Sequence, residues 1–192
     1  MCGRYYLDGE EPDIAALLAQ VQAASDAQAV IKTGEIFPTN IVPVITAQKP
    51  LLAKWGFTKY NGKGQIINAR SETAIDKPTF RRPLLENRCL IPATNYFEWQ
   101  KTGSKKQKTA LMLPDQQPLF MAGFFRREQN VPYPVFVIMT REAGHSIAHI
   151  HDRMPVILPR AMQRKWLSPG LDLDCVLSGA IQEGILYQAV RS

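Results

Sequence analysis

The second residue of the chain is a cysteine, in the opening run Met1-Cys2-Gly3-Arg4. Removal of Met1 leaves one residue with two adjacent nucleophiles, the free α-amine and the thiol of Cys2. An α-amine titrates at about 7.7–8.0 and a cysteine thiol at about 8.5, so both are partly reactive at neutral pH. A 1,2-aminothiol of this kind has two reactions open to it. It attacks an amide using its own amine as base, or it condenses with an aldehyde to a Schiff base that the thiol closes into a thiazolidine ring. The first makes an amidohydrolase and the second an aldehyde trap; an ordinary disordered terminus is the third reading.

Three further segments concentrate polar residues in apolar surroundings: Asn68-Ala69-Arg70-Ser71-Glu72-Thr73, Tyr96-Phe97-Glu98-Trp99 and His151-Asp152-Arg153-Met154-Pro155. Glu98 sits between two aromatic residues, so strand alternation turns its carboxylate to the face opposite those rings. A carboxylate inside a strand of this kind is either paired with an arginine or is a desolvated general acid or base with a raised pKa. All three histidines of the chain fall within His145 to His151, spaced H-x3-H-x-H. No cysteine or carboxylate follows at ligand spacing, so neither a metal nor another cofactor is expected. His151, two residues before Arg153, sets a proton donor beside a guanidinium suited to phosphate.

These residues need a scaffold, and the composition sets its class. At 192 residues the chain is long enough to bury a core without disulfides or a metal, and one domain over residues 2–192 is expected. Three cysteines, Cys2, Cys89 and Cys175, are odd in number and lack a CxxC pair, which fits a reducing cytosol rather than a disulfide framework. No basic-then-apolar leader opens the chain, and its apolar runs are far too short to span a bilayer. The net charge of +6 favours an anionic partner such as nucleic acid. The local clusters, Arg81-Arg82 and the four lysines of residues 101–108, read as solvated loops or helix faces.

Short β-rich runs separated by turn residues dominate. The pattern predicts strands over Arg4–Leu7, Ile41–Ala47, Leu51–Phe57, Arg88–Ile91, Tyr96–Gln100, Thr109–Leu113, Leu119–Phe125, Val135–Thr140 and Val156–Leu158. Ile14, Leu17, Leu18 and Val21 recur at helical spacing behind Pro12; Ser71 reads as the N-cap of a second helix and Arg160–Leu167 as a third. The expected fold is α+β: a curled, barrel-like, mainly antiparallel sheet with short flanking helices.

The motifs Met-Cys-Gly-Arg, Asn68 to Thr73, Cys89-Leu90-Ile91-Pro92 leading into Phe97-Glu98-Trp99, and His151 to Pro155, with Trp55-Gly56, resemble those of the SRAP family in order and approximate spacing. That family comprises the SOS-response-associated, abasic-site-processing proteins. The resemblance implies the SRAP fold and a covalent, reversible thiazolidine cross-link between Cys2 and the ring-opened aldehyde of an abasic site in single-stranded DNA. It gives Cys2 the part of nucleophile, Asn68 that of orienting the reacting groups, Glu98 that of the carboxylate beside the amine and His151 that of the acid. Arg4, Arg70 and Arg153 match the family's DNA-backbone contacts, and Trp55 and Trp99 are expected at the DNA. Schiff-base chemistry brings abasic-site lyase activity and self-reversal within reach, and the family name carries a peptidase or hydrolase label. The implied protein is a monomer in the cytoplasm, at the nucleoid during DNA damage, with no membrane partner. Asn95 stands where the family commonly has glycine, a change eased by the tolerance of asparagine for left-handed conformations, and Phe37-Pro38-Thr39-Asn40 fits the family's loop loosely. Two readings from other classes compete: a glutamine amidotransferase with an N-terminal cysteine, and a non-covalent single-strand-binding module that stacks bases on Trp55 and Trp99.

Overall fold

The computed structural model describes residues 2–24, 31–103, 105–170 and 172–190. In chain order the elements are β1 (Tyr5–Leu7), α1 (Pro12–Ala24), β2 (Gly34–Ile36), β3 (Ile41–Thr46), β4 (Leu51–Trp55), β5 (Phe57–Thr58), β6 (Gln65–Ile66), β7 (Asn68–Arg70) and α2 (Pro78–Glu86). There follow β8 (Arg88–Ala93), β9 (Asn95–Thr102), β10 (Lys105–Met112), β11 (Leu119–Arg126), β12 (Val135–Glu142), β13 (Arg153–Pro155), α3 (Arg160–Leu167), α4 (Leu173–Ser178) and β14 (Leu186–Ala189). The α+β expectation holds.

Strands β11, β8, β3, β4 and β12 pair in that order, and β11 pairs back to β12, closing a five-stranded barrel. The prolines inside it sit where they cost no ladder bond. Pro43 of β3 faces Leu52 of β4, while the pairing of β3 with β8 begins only at Ile45; a proline has no N–H to offer a second neighbour. Gly123, at a crowded point of β11, is required for a different reason: a Cβ there would collide with Ile91 and the carbonyl of Val137. A second sheet, in the order β14-β10-β9-β1-β2, is antiparallel throughout.

Alternation divides the barrel residues between two cores. Val42, Val44, Trp55, Ile91, Met121, Phe136 and Ile138 pack with Tyr5, Leu7, Tyr96 and Leu111 of the second sheet. Leu90, Phe124, Val137 and Met139 are instead covered by Phe80 and Leu84 of α2, Trp166 of α3 and Val176 of α4. Burial of these side chains at roughly 25 cal/mol per Å² of apolar surface is the main force holding the layers.

Several sequence expectations need correction. Ser71 does not begin a helix. Its N–H donates to Thr140 O, and residues 71–76 form turns closed by three-residue bonds such as Thr73 N–H to Arg70 O. The helix starts at Pro78, whose fixed φ suits a first turn. The strand expected at Val156–Leu158 lies earlier, at Arg153–Pro155, with Ile157 making isolated bridges to Met121 and Ile181. The lysine-rich stretch is neither loop nor helix but the two arms of the β9–β10 hairpin, where Lys101 faces Lys106 and Trp99 faces Lys108. Asn95 lies in β9 opposite Tyr6 and needs no left-handed conformation. The helix over Arg160–Leu167 appears where expected.

Arg88 joins the helical layer to the barrel. Its buried guanidinium donates to Leu84 O and Leu85 O at the end of α2 and to Trp166 O and Ser168 O at the end of α3. Four carbonyls of two helix C-termini, which no backbone donor among the described residues reaches, thus share one cation. Replacing Arg88 with Met leaves them buried and unpaired, and urea denaturation of Arg88→Met is expected to show a loss of about 2–4 kcal/mol.

Candidate active site

Cys2 leads into β1 and has no exposed surface. Asn68 fixes its main chain, the Nδ2 donating to Cys2 O at 2.8 Å. Asn68 is itself positioned by register: β7 runs parallel to β12, with Asn68 opposite Ile138 and Arg70 opposite Thr140. Its Oδ1 is buried and accepts no hydrogen bond among the described residues, so an acceptor stands ready beside Cys2. Burial pushes the Cys2 thiol well above its ordinary range, and the negative charge of Glu98 pushes it further. The thiol therefore stays protonated until a base takes its proton.

That base is at hand. Glu98 is 3% exposed, and alternation along β9 puts Tyr96 and Glu98 on one face and Phe97 and Trp99 on the other. Its opposite number on β10 is Thr109. Desolvation raises the Glu98 carboxyl to about 7, where it can take or return a proton at neutral pH. The His151 Nε2 lies 3.9 Å from Glu98 Oε2. His151 Nδ1 accepts the Arg153 N–H at 3.0 Å, which leaves the proton of the neutral ring on Nε2, toward Glu98. Burial holds the His151 pKa below its usual value, so the neutral ring prevails. Protonation turns Nδ1 into a donor, and Asp152 Oδ1, 2.8 Å away, is placed to accept.

Two tyrosines complete the cluster and were missed in the sequence. The hydroxyls of Tyr5 and Tyr96 are buried and unpartnered among the described residues. Burial pushes both phenols up, and the Cys2 charge acts on each. The signal for Tyr96 was available, because it stands two residues from Glu98 on the same strand face. Tyr5 faces Tyr96 across β1 and β9.

The four residues expected to do chemistry therefore converge, whereas the expected DNA contacts differ in how far they are engaged. Arg70 is exposed and has no carboxylate partner among the described residues. Arg153 is engaged by both oxygens of Glu72, at 2.7 and 2.8 Å, and donates to Thr140 O. The Arg4 guanidinium lies 3.7 Å above the Phe37 ring and 5.3 Å from Trp99. Trp55 offers nothing to a base: it is fully buried, stacks with Phe136, packs at a tilt against Tyr5, and donates Nε1–H to Ile67 O. The histidines do not share a ligand. His149 rests edge-on against Tyr187 while His151 faces Glu98, and the described residues hold no cluster of three or more metal-ligating side chains.

A carboxyl raised to about 7 in the fold and titrating near 4.3 when unfolded binds more protons folded than unfolded between those values. Its contribution to stability is therefore present at low pH and is lost as pH rises from about 4.3 to 7. Glu98→Gln is expected to flatten that part of the stability–pH curve and to exceed the wild type by about 1–3 kcal/mol above pH 7 in chemical denaturation.

Known proteins resemble this chain along most of its length. The family model for SOS response associated peptidase (SRAP) matches residues 1–184. The abasic site processing protein YoqW of Bacillus subtilis is 31% identical over 188 residues, covering 88% of this chain and 81% of that protein. YedK of Escherichia coli, of the same description, is 30% identical over 176 residues, covering 87% and 79%. YoaM of Bacillus subtilis is 39% identical over 109 residues, a stretch that spans 55% of this chain and 48% of that protein. A crystal structure of a protein from Bacteroides thetaiotaomicron superposes with a TM-score of 0.83 at 24% identity, covering 99% of this chain and 92% of that one, which speaks to the fold alone. With the match running through nearly the whole length and through each polar segment of the Cys2 cluster, the chain belongs to the SOS response associated peptidase (SRAP) family.

Proposed function

We propose that this protein processes abasic sites in single-stranded DNA by capturing them covalently through Cys2 after Met1 is removed. The observation that carries the reading is the convergence of buried Cys2 and Glu98 with half-buried Asn68 and His151 in one cluster; the relatives named for abasic site processing supply the substrate class.

Each group has work in such a reaction. The abasic sugar is mostly a closed hemiacetal, and His151, once protonated against Asp152, gives its Nε2 proton to the ring oxygen as the anomeric hydroxyl loses its own and the ring opens. Glu98, near half-ionised at neutral pH, takes a proton from the terminal ammonium so that the amine can add to the aldehyde carbon. The same carboxyl then returns a proton to the carbinolamine, water leaves, and a Schiff base remains. The Cys2 sulfur adds to its carbon, the imine nitrogen gains a proton as the thiol loses one through Glu98, and a thiazolidine results. Asn68 keeps the Cys2 main chain in place during both additions, which makes the capture effectively intramolecular once the strand is seated. Arg4, Arg70 and Arg153 supply positive charge for the flanking phosphates, Arg153 after exchange of its Glu72 partner.

The Schiff base also acidifies the neighbouring sugar carbon, so β-elimination of the 3′ phosphate competes with ring closure. The steps are reversible, and Glu98 and His151 are the groups placed to reopen the ring. The reaction would take place wherever single-stranded DNA is exposed in the cytoplasm, at the nucleoid.

Mature protein is expected to give a species with abasic single-stranded oligonucleotide that survives heating in detergent. Cys2→Ala keeps the amine and loses the thiol, so the stable adduct should fall at least a hundredfold while strand scission persists or rises. An equally stable adduct from Cys2→Ala would overturn the mechanism. The wild-type capture rate should climb with pH through about 7 as Glu98 ionises. Glu98→Gln should be slower by about 10²–10⁴-fold and lack that limb, measured by quenched time courses on denaturing gels.

A further inference from the structure

Outside the Cys2 cluster, one convergence of charges among the described residues brings two cations to a single carboxylate oxygen. It lies on the second sheet, on the face of β9 that carries Phe97 and Trp99. Glu35 of β2 reaches across this face, and two cations meet on a single one of its oxygens: Arg4 Nη1 at 2.7 Å and Lys108 Nζ at 2.6 Å from Oε1. The three side chains come from three strands or their ends, and each is between 25% and 29% exposed. The Lys108 ammonium also sits 4.1 Å over the Phe97 ring, and Arg4 lies over Phe37, itself 40% exposed.

We infer that Arg4 and Lys108 form a seat for one phosphodiester phosphate of single-stranded DNA, and that the Glu35 carboxylate occupies this seat until a strand displaces it. The inference rests on the proposed capture of abasic strands and adds to it a means of discrimination.

Geometry and charge both support an occupied seat rather than a purely structural ion pair. Two donors converging on one anionic oxygen is the arrangement a phosphate oxygen requires, and aromatic rings flank the cations where bases would stack. The exposed Lys101 and Lys106 stand opposite each other two residues further along the same face of the hairpin, so positive charge continues away from the seat along a line a strand could follow. Burial alone would raise the Glu35 carboxyl, yet hydrogen bonds from Lys108 and Arg4 bring it below the usual carboxylate range, so it stays anionic and competes throughout neutral pH. An undamaged strand has only phosphate contacts and stacking with which to displace it. An abasic strand gains a covalent bond at Cys2 as well. A built-in competitor therefore lowers the background of undamaged DNA more than it lowers lesion capture.

The test is binding of a labelled, undamaged single-stranded oligonucleotide to Glu35→Gln, by fluorescence anisotropy over a salt series. Freeing both cations is expected to tighten binding roughly tenfold. It should also steepen the dependence of log K on log salt by about 0.7, since each phosphate neutralised on a single strand contributes about 0.7. Glu35→Gln/Lys108→Gln should bind more weakly than Glu35→Gln. Unchanged or weaker binding by Glu35→Gln with the wild-type slope, in protein whose melting is also unchanged, would mean that Glu35 merely holds Arg4 in place, and the inference falls. Glu35→Ala, assayed in parallel, must agree in direction. Wild-type cross-linking to an abasic oligonucleotide separates the two claims. If it occurs while Glu35→Gln shows no gain, the phosphate seat alone is wrong; if wild type neither binds nor cross-links, both readings fall.

Discussion

Everything distinctive in this molecule follows from carrying the start of the chain into the interior. Terminal residues are ordinarily the least ordered part of a domain, yet Cys2 has no contact with solvent, and its carbonyl is held by Asn68. A carboxyl and two phenols are withdrawn from water around it, and an amide and an imidazole partly so. Each would be costly to bury alone, and the cost falls on the charged forms. The carboxyl moves toward neutrality, the thiol resists ionisation, and the imidazole stays uncharged. Burial thereby brings the carboxyl up toward neutral pH and the imidazole down, while it drives the thiol and the phenols further above it.

The scaffold tolerates this because its apolar layers are complete elsewhere. The barrel is closed, so it has no edge near the site, and two aromatic and aliphatic cores lie on either side of its wall. Among the described residues, several buried polar atoms without partners lie where chemistry is proposed: Asn68 Oδ1 and the hydroxyls of Tyr5 and Tyr96. Unsatisfied groups of this kind are rare in folded proteins, and they mark a site arranged for something other than stability.

How far the sequence revealed this differs from residue to residue. Glu98 was legible because alternation along a strand is a local rule, and the two flanking aromatics identify the opposite face. The order of the polar motifs pointed to the shared cluster before any contact was known. Trp55 and Trp99 were not separable, since both occur in strand-like runs and only tertiary packing decides that Trp55 is sealed between Tyr5 and Phe136. The helix after Ser71 was displaced to Pro78 because the Ser71 amide is used by the sheet, a long-range demand invisible in the local pattern. Glu35 escaped notice for a similar reason. Its strand has three residues and no periodicity, and its partners are 31 and 73 positions away.

Strand β12 carries a burden that its length conceals. Within eight residues it pairs with β4, β7, β11 and β13, and so it indexes Asn68 through Ile138 and Arg153 through Glu142. A single inserted or deleted residue there would turn over alternate side chains and misplace both polar segments together. Strand β12 thus behaves as a ruler whose gradations cannot be re-spaced one at a time.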